Sequence, residues 1–255
     1  MIELRPETQD ILRRVEELTG VPVDVAADST QSTLASMTPA RGGAPAHLIR
    51  ANPSLGEPDY LIIYQCGFLL RQYAIPADER WDFAGTAQGR DEVGRLVRRS
   101  GQLAQLPDTA KQQLTQQLFD GLLTQLRSYP IGMRIDSWIH ETFPNLANLQ
   151  RDAIAHQQQE NQSVLRPEIR SFAPKPVYDA NVTMNAAYAI FCDRVFGKMG
   201  YSIPFRSAGF EKPGRALVEI LQSTPDDPTS DRSLVDSWAE NLGLSGWYQW
   251  IPLQS

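Results

Sequence analysis

The side chains best suited to chemistry are scarce in this 255-residue chain: three histidines and two cysteines. His140-Glu141 is the first half of a two-histidine metal-binding helix, but Pro144 stands where the second histidine is needed, four residues on. That spacing matters because two imidazoles grip one ion from a helix only when they share a face. His156 is remote in sequence and could meet His140 only through tertiary structure. With Glu141 and Glu160 they form the one candidate metal set outside a recognisable motif. His47 reads as a packing or outward-facing residue of a strand. Cys66, in Ile-Tyr-Gln-Cys-Gly-Phe, and Cys192, in Ala-Ile-Phe-Cys-Asp, have no neighbouring Lys or His to stabilise a thiolate. Both read as inert, buried, reduced thiols and point to a reducing compartment. No Gly-x-Gly-x-x-Gly, Walker or Gly-x-Ser-x-Gly element is present, so a nucleotide site or an α/β-hydrolase has no support.

Amides supply a second kind of candidate. Asn181, Asn185 and Tyr188 follow one another at steps of four and three residues, on one face of an otherwise apolar helix. Such amides either pair buried backbone groups or line a groove for a peptide or partner.

The elements that must position these groups are organised around residues 58–73. Leu61, Ile62, Ile63, Tyr64, Cys66, Phe68, Leu69, Leu70 and Tyr73 leave almost no polar face, as expected of a helix contacted from several sides. Pro58 suits its first turn, and Asp59 can cap the opening amides or favour the positive helix end. Before it, Ile11, Leu12, Val15 and Leu18 make an amphipathic helix over 6–19 that Gly20 ends. Val21, Val23 and Val25 then alternate as a strand, a second strand covers 33–37 and a third 46–51, closed by Asn52-Pro53. After Tyr73 a helix is expected within 84–100. Another begins at Leu106-Pro107-Asp108, carries Leu114, Leu118, Leu122 and Leu126, and is expected to end at Tyr129-Pro130. A short helix around Ile135 and Trp138, one from Pro144 to about Val164, a loop through Pro167, Pro174 and Pro176, and helices over 177–196, 214–222 and 231–242 follow. The tail Trp247-Tyr248-Gln249-Trp250-Ile251 needs burial, on this chain or on a partner.

This order of helix, small sheet, strand His47-Leu48-Ile49-Arg50-Ala51-Asn52, short acidic loop and buried helix resembles the amino-terminal half of zincin metallopeptidase domains of the gluzincin type, including the ImmA/IrrE-like proteins. The resemblance covers residues 6–75. It implies that 47–52 is the edge strand that binds extended substrate, and that the following helix carries His-Glu-x-x-His. The matching register here is Tyr64-Gln65-Cys66-Gly67-Phe68. Tyr64 and Phe68 stand for the two histidines and Gln65 for the glutamate. Neither Phe nor Gln offers a practical zinc ligand or general base. The resemblance therefore implies a pseudoenzyme whose metal cavity is filled with apolar volume, and a Gly67 that lets the helix pass close to the sheet.

The net charge of −6 argues against broad nucleic-acid binding; Arg95, Arg98 and Arg99 are read first as a solvated helix face and second as a local basic patch. No stretch reaches the length of a membrane span, and the N-terminus has no apolar secretion signal, so a soluble, cytoplasmic protein is expected. The expected fold is α+β and predominantly helical: a small antiparallel N-terminal sheet packed on a buried central helix, then a helical C-terminal half. Residues 1–105 form the zincin-like part and 106–255 a helical part packed on it as one unit. The expected function is a catalytically inactive peptide- or protein-binding or scaffold subunit with no metal or cofactor. The alternatives are an active metal-dependent hydrolase using His140, Glu141, His156 and Glu160, or a purely structural helical subunit.

Overall fold

The computed structural model describes residues 3–30, 34–52, 57–197 and 199–253. The fold is α+β and predominantly helical. Helix α1 (Pro6–Thr19) opens on Pro6, buries Thr8, Ile11 and Val15, and stops at Gly20, whose φ of 72° makes the left-handed turn. Three short strands follow: β1 (Val23–Ala27), β2 (Ala35–Thr38) and β3 (His47–Ala51). Of the residues assigned to the second strand from sequence, Thr33 lies outside the described residues, as does Pro53 beyond the third.

The sheet order is β1-β3-β2, and this corrects two expectations. The sheet is mixed: β1 runs parallel to β3, with Val23 opposite His47, and β2 runs antiparallel to it, with Ala35 opposite Ala51. The segment His47–Asn52 is also not an edge. His47, Ile49 and Ala51 are fully buried, so β3 takes the position with neighbours on both sides. Strand β2, built of Ala, Ser, Met and Thr, tolerates the half-exposed rim. Beyond β3, the Asn52 amide donates to the Leu34 carbonyl at 3.0 Å.

Helix α2 (Asp59–Tyr73) packs against α1, β2 and β3 on one side and two later helices on the other. Asp59 does not cap it. Its carboxylate instead accepts the Arg5 amide at 2.9 Å and the Thr8 hydroxyl, tying the start of α2 to the start of α1. A strand unforeseen in the sequence, β4 (Trp81–Gly85), precedes α3 (Ala87–Arg99) and pairs antiparallel with the C-terminal β5 (Tyr248–Pro252). The aromatic tail thus finds partial cover on this chain: Phe83 stacks on Tyr248 at 4.5 Å and meets Trp250 edge-on, while Ile251 stays exposed.

The largest correction concerns α4 (Asp108–Thr142), which runs straight through Pro130 for 35 residues. Proline removes one helical hydrogen bond and costs about 3 kcal/mol in an isolated helix. Here the flanking turns are buried in two different cores, which offsets that cost. Phe119, Leu126 and Met133 belong to the larger core with Met184, Leu217 and Trp238, whereas Ile135 and Ile139 complete the core around Ile49, Ile62, Ile63 and Leu69. The remaining helices are α5 (Ala147–Gln162), α6 (Pro167–Phe172), α7 (Lys175–Val195), α8 (Ile203–Ser207), α9 (Glu211–Ser223) and α10 (Asp231–Leu242). Pro167 and Pro176 fall in the first turns of α6 and α7, where a missing amide costs nothing, and so do not mark one continuous loop.

A buried ion cluster ties α2, α4 and α10 together. Arg71 of α2 grips Asp231 of α10 with two bonds of 2.7 and 2.9 Å. Arg134 of α4 reaches the same carboxylate at 2.7 Å and donates to the carbonyls of Thr224 and Pro225. Among the described residues no helix is long and apolar enough to cross a membrane.

Gly67 faces α4, not the sheet. A Cβ there would lie 2.6 Å from the Cγ2 of the buried Ile135. Gly67→Ala is therefore expected to destabilise the protein by about 1–2 kcal/mol in urea unfolding, despite the better helix propensity of alanine. An equal or higher midpoint would show that α2 and α4 are not in this close contact.

Candidate functional site

Helix periodicity brings Tyr60, Tyr64 and Phe68 into one row along α2, with Leu61 and Gln65 beside them. This row forms one wall of a cavity of about 470 Å³. The opposite side comes from Ser128 and Tyr129 of α4, Ile154, Gln157 and Glu160 of α5, and Tyr188 of α7. Leu34, Ala35 and Ser36, at the start of edge strand β2, form the rim. Tyr64, Gln65 and Phe68, the three positions that the sequence resemblance sets against a metal motif, thus all line one cavity. Tyr64 meets Tyr60 at 6.0 Å and Phe68 edge-on at 5.4 Å. Gly132 of α4 makes room for the Tyr64 ring, since any Cβ there would strike its hydroxyl.

Behind the aromatic wall lies Asp136 of α4, fully buried and not singled out from the sequence. It is one turn beyond Gly132 on the same face. Tyr60 donates its hydroxyl to Asp136 Oδ1 at 2.6 Å, Tyr188 donates to Oδ2 at 3.0 Å, and Gln150 of α5 donates to the Asp136 carbonyl at 2.9 Å. No Lys, Arg or His among the described residues pairs with this carboxylate. Burial pushes its pKa up to about 6, against the pull of the Tyr60, Tyr188 and Gln150 donors. Burial likewise raises the phenols of Tyr60, Tyr64 and Tyr188 well above their ordinary value, and Tyr129 to about 12. All four remain neutral at pH 7.

A second, more open hollow adjoins the first and shares Thr124, Ser128, Tyr129 and Glu160 with it. Here the amides anticipated on α7 appear, tied to α4 rather than to backbone. Asn181 donates to Gln125 Oε1 at 2.9 Å, Gln125 donates to Asn185 Oδ1 at 2.7 Å, and Tyr129 donates to the same oxygen at 3.0 Å. Asn161 of α5 accepts from Tyr129 and Gln157, while its own buried Nδ2 has no partner within the described residues. Asn181 and Asn185 therefore line this hollow, but Tyr188 turns to the first cavity and Asp136.

The remaining candidates are placed elsewhere. His47 is buried in β3, where Nδ1 accepts the Ala40 amide at 2.9 Å and the ring meets Tyr73 edge-on. Burial lowers its pKa, so it is a neutral packing residue. Leu48, Ile49, Arg50 and Ala51 lie in the same interior strand and, with Asn52, present no open edge to a ligand. His140 is exposed at the end of α4 against Phe196, and Glu141 beside it is exposed. His156 lies 3.5 Å from Glu160 one turn away on α5. Among the described residues no three His, Cys, Asp or Glu side chains are gathered as a metal site requires, so His140 and His156 do not join in one. Cys66 and Cys192 are free, buried thiols; burial raises Cys66 to about 12 and raises Cys192 well above its ordinary value.

Asp136 makes a pH dependence that can be measured. Its folded pKa, about 6, exceeds the ordinary carboxylate value of 3.8, so between these the native state holds the proton more tightly than the unfolded chain. Stability must fall as pH rises through this window, by about 3 kcal/mol in all, with the loss complete above it. Asp136→Asn is expected to abolish that fall, so the stability difference between variant and parent shifts in favour of the variant from pH 4 to pH 7. A difference that does not change with pH would place Asp136 in a well-solvated setting.

Compared with protein-family models, with curated proteins and with solved structures, the chain matches none of them.

Proposed function

We propose that this chain is a catalytically inactive, zincin-like protein that binds an extended peptide or protein segment in the cavity between β2 and α2. The observation that carries this reading is the meeting of two features at one place. The rim is an edge strand, and the wall is the Tyr64–Gln65–Phe68 face that stands in register with a metal-binding motif. The role first given to His47–Asn52 passes to Ala35–Thr38. The Leu34 carbonyl bonds toward β3, so by antiparallel alternation the amides and carbonyls of Ala35 and Met37 point away from the sheet, toward an added strand. Tyr and Phe at the ligand positions leave aromatic volume where zinc chemistry would need imidazoles. Two free buried thiols fit a reducing, cytoplasmic setting, and the net charge of −6 fits a protein rather than a nucleic-acid partner.

Tag-free protein prepared without chelators is expected to hold well below one zinc per chain, with or without added zinc, and to leave a fluorogenic casein substrate uncut. Peptides selected from a random displayed library should bind at least about tenfold more weakly to Ala35→Pro, which removes an outward amide while sparing the β2–β3 ladder. Stoichiometric zinc together with chelator-sensitive cleavage would overturn the inactive reading. Equal peptide binding by Ala35→Pro with an unchanged melting curve would overturn strand addition.

A further inference from the structure

We infer that the cavity beside α2 is a receptor for a cationic side chain, so that the bound segment carries an Arg or Lys over Tyr64. This deepens the peptide-binding reading and rests on it for the source of the cation. Three independent features of the cavity converge on a positive ligand.

The first is its aromatic content. Tyr60, Tyr64 and Phe68 line one wall, and Tyr129 and Tyr188, whose rings lie 5.3 Å apart, line the other. A guanidinium or ammonium held among ring faces is attracted by their quadrupoles, increasingly so as water is excluded. The second is the charge balance. Among the described residues no Lys, Arg or His lines it, whereas the exposed Glu160 does. Several basic side chains nearby are engaged elsewhere: Arg134 with Asp231 and the Thr224 and Pro225 carbonyls, Arg71 with Asp231, Arg127 with Asp82 and Arg194 with Gln222, while His156 sits beside Glu160 in an adjoining hollow.

The third feature is Asp136. Its carboxylate is fully buried, and the groups that face it are neutral: Tyr60 and Tyr64 from α2, Gln150 from α5, Tyr188 and Cys192 from α7. A buried charge without a counter-ion is costly, and a cation in the adjoining cavity would relieve that cost through one layer of phenol. Tyr60 and Tyr188 both spend their hydroxyl protons on Asp136. Their oxygens therefore carry lone pairs and no spare donor, which suits a ligand that donates. An anionic side chain in the same place would meet two carboxylates. A neutral aliphatic one would leave Asp136 unbalanced.

The test is a protein-detected NMR titration with capped alanine pentapeptides whose central residue is Arg, Lys, norleucine or Glu, alongside butylammonium as a free cation. The Arg and Lys peptides are expected to bind about tenfold or more tightly than norleucine, with shifts clustered on α2 and β2, and the Glu peptide to be weakest. Tyr64→Leu and Asp136→Asn should each reduce the Arg-to-norleucine ratio to about threefold or less. Tyr64→Leu leaves the Asp136 hydrogen bonds in place, so it decides the matter if Asp136→Asn does not fold. Equal binding of Arg and norleucine would overturn the cation receptor and leave peptide binding standing. Butylammonium binding at these residues with no response to any peptide would support the cation receptor and overturn its peptide source. No response to any probe would overturn both.

Discussion

Asp136 sits where four helices meet, and among the described residues its donors are all neutral. Its side chain takes the hydroxyls of Tyr60 on α2 and Tyr188 on α7, and its carbonyl takes the amide of Gln150 on α5. Removing a carboxylate from water without a counter-charge is tolerable only when each lone pair finds a donor in good geometry. That requirement fixes the rotation of α2, α5 and α7 about α4. It also holds Tyr60 and Tyr188 in the lining of the cavity, so one buried polar contact bears on both the packing of the helices and the character of the opening between them.

The second constraint is the continuity of α4. A helix that ended at Pro130 would separate the core around Ile49 and Ile62 from the core around Phe119 and Trp238. Because it continues, Arg134 and Asp136 emerge from the same turn in different directions. Arg134 joins Arg71 and Asp231 in an ion cluster that binds α2 to α10, and Asp136 joins the tyrosines. The charge that could have neutralised Asp136 is thus committed a short distance away. The pairing of β4 with β5 adds a link between residues 81–85 and 248–252, on either side of the point in the sequence where two parts were anticipated.

Much of the candidate site was legible as residue types and almost none of it as neighbours. The row Tyr60, Tyr64, Phe68 follows from helical period, and Asn181, Asn185 and Tyr188 from the same period on α7. Their destinations did not follow: the asparagines bond to Gln125 on α4, and Tyr188 bonds to Asp136. Asp136 itself escaped notice because an aspartate in the run Arg-Ile-Asp-Ser-Trp reads as a solvated helix residue. The clue was the apolar surroundings at Ile135 and Ile139 on a helix whose extent Pro130 concealed.

By itself the sequence determined the start and end of α1, α2, α7 and α10 to within a few residues, the three strands before α2, and the helical majority. These depend on periodicity, prolines and glycines, all of which act within a few residues. Only the tertiary structure decided which strand lies at the edge, that α4 survives its proline, and that β5 returns to β4. Strand pairing and the burial that outweighs a proline are contacts between segments far apart in the chain, and their free energy exists only once the partners have met. The cavity belongs to that second class: its walls come from β2, α2, α4, α5 and α7, and no local pattern records that they converge.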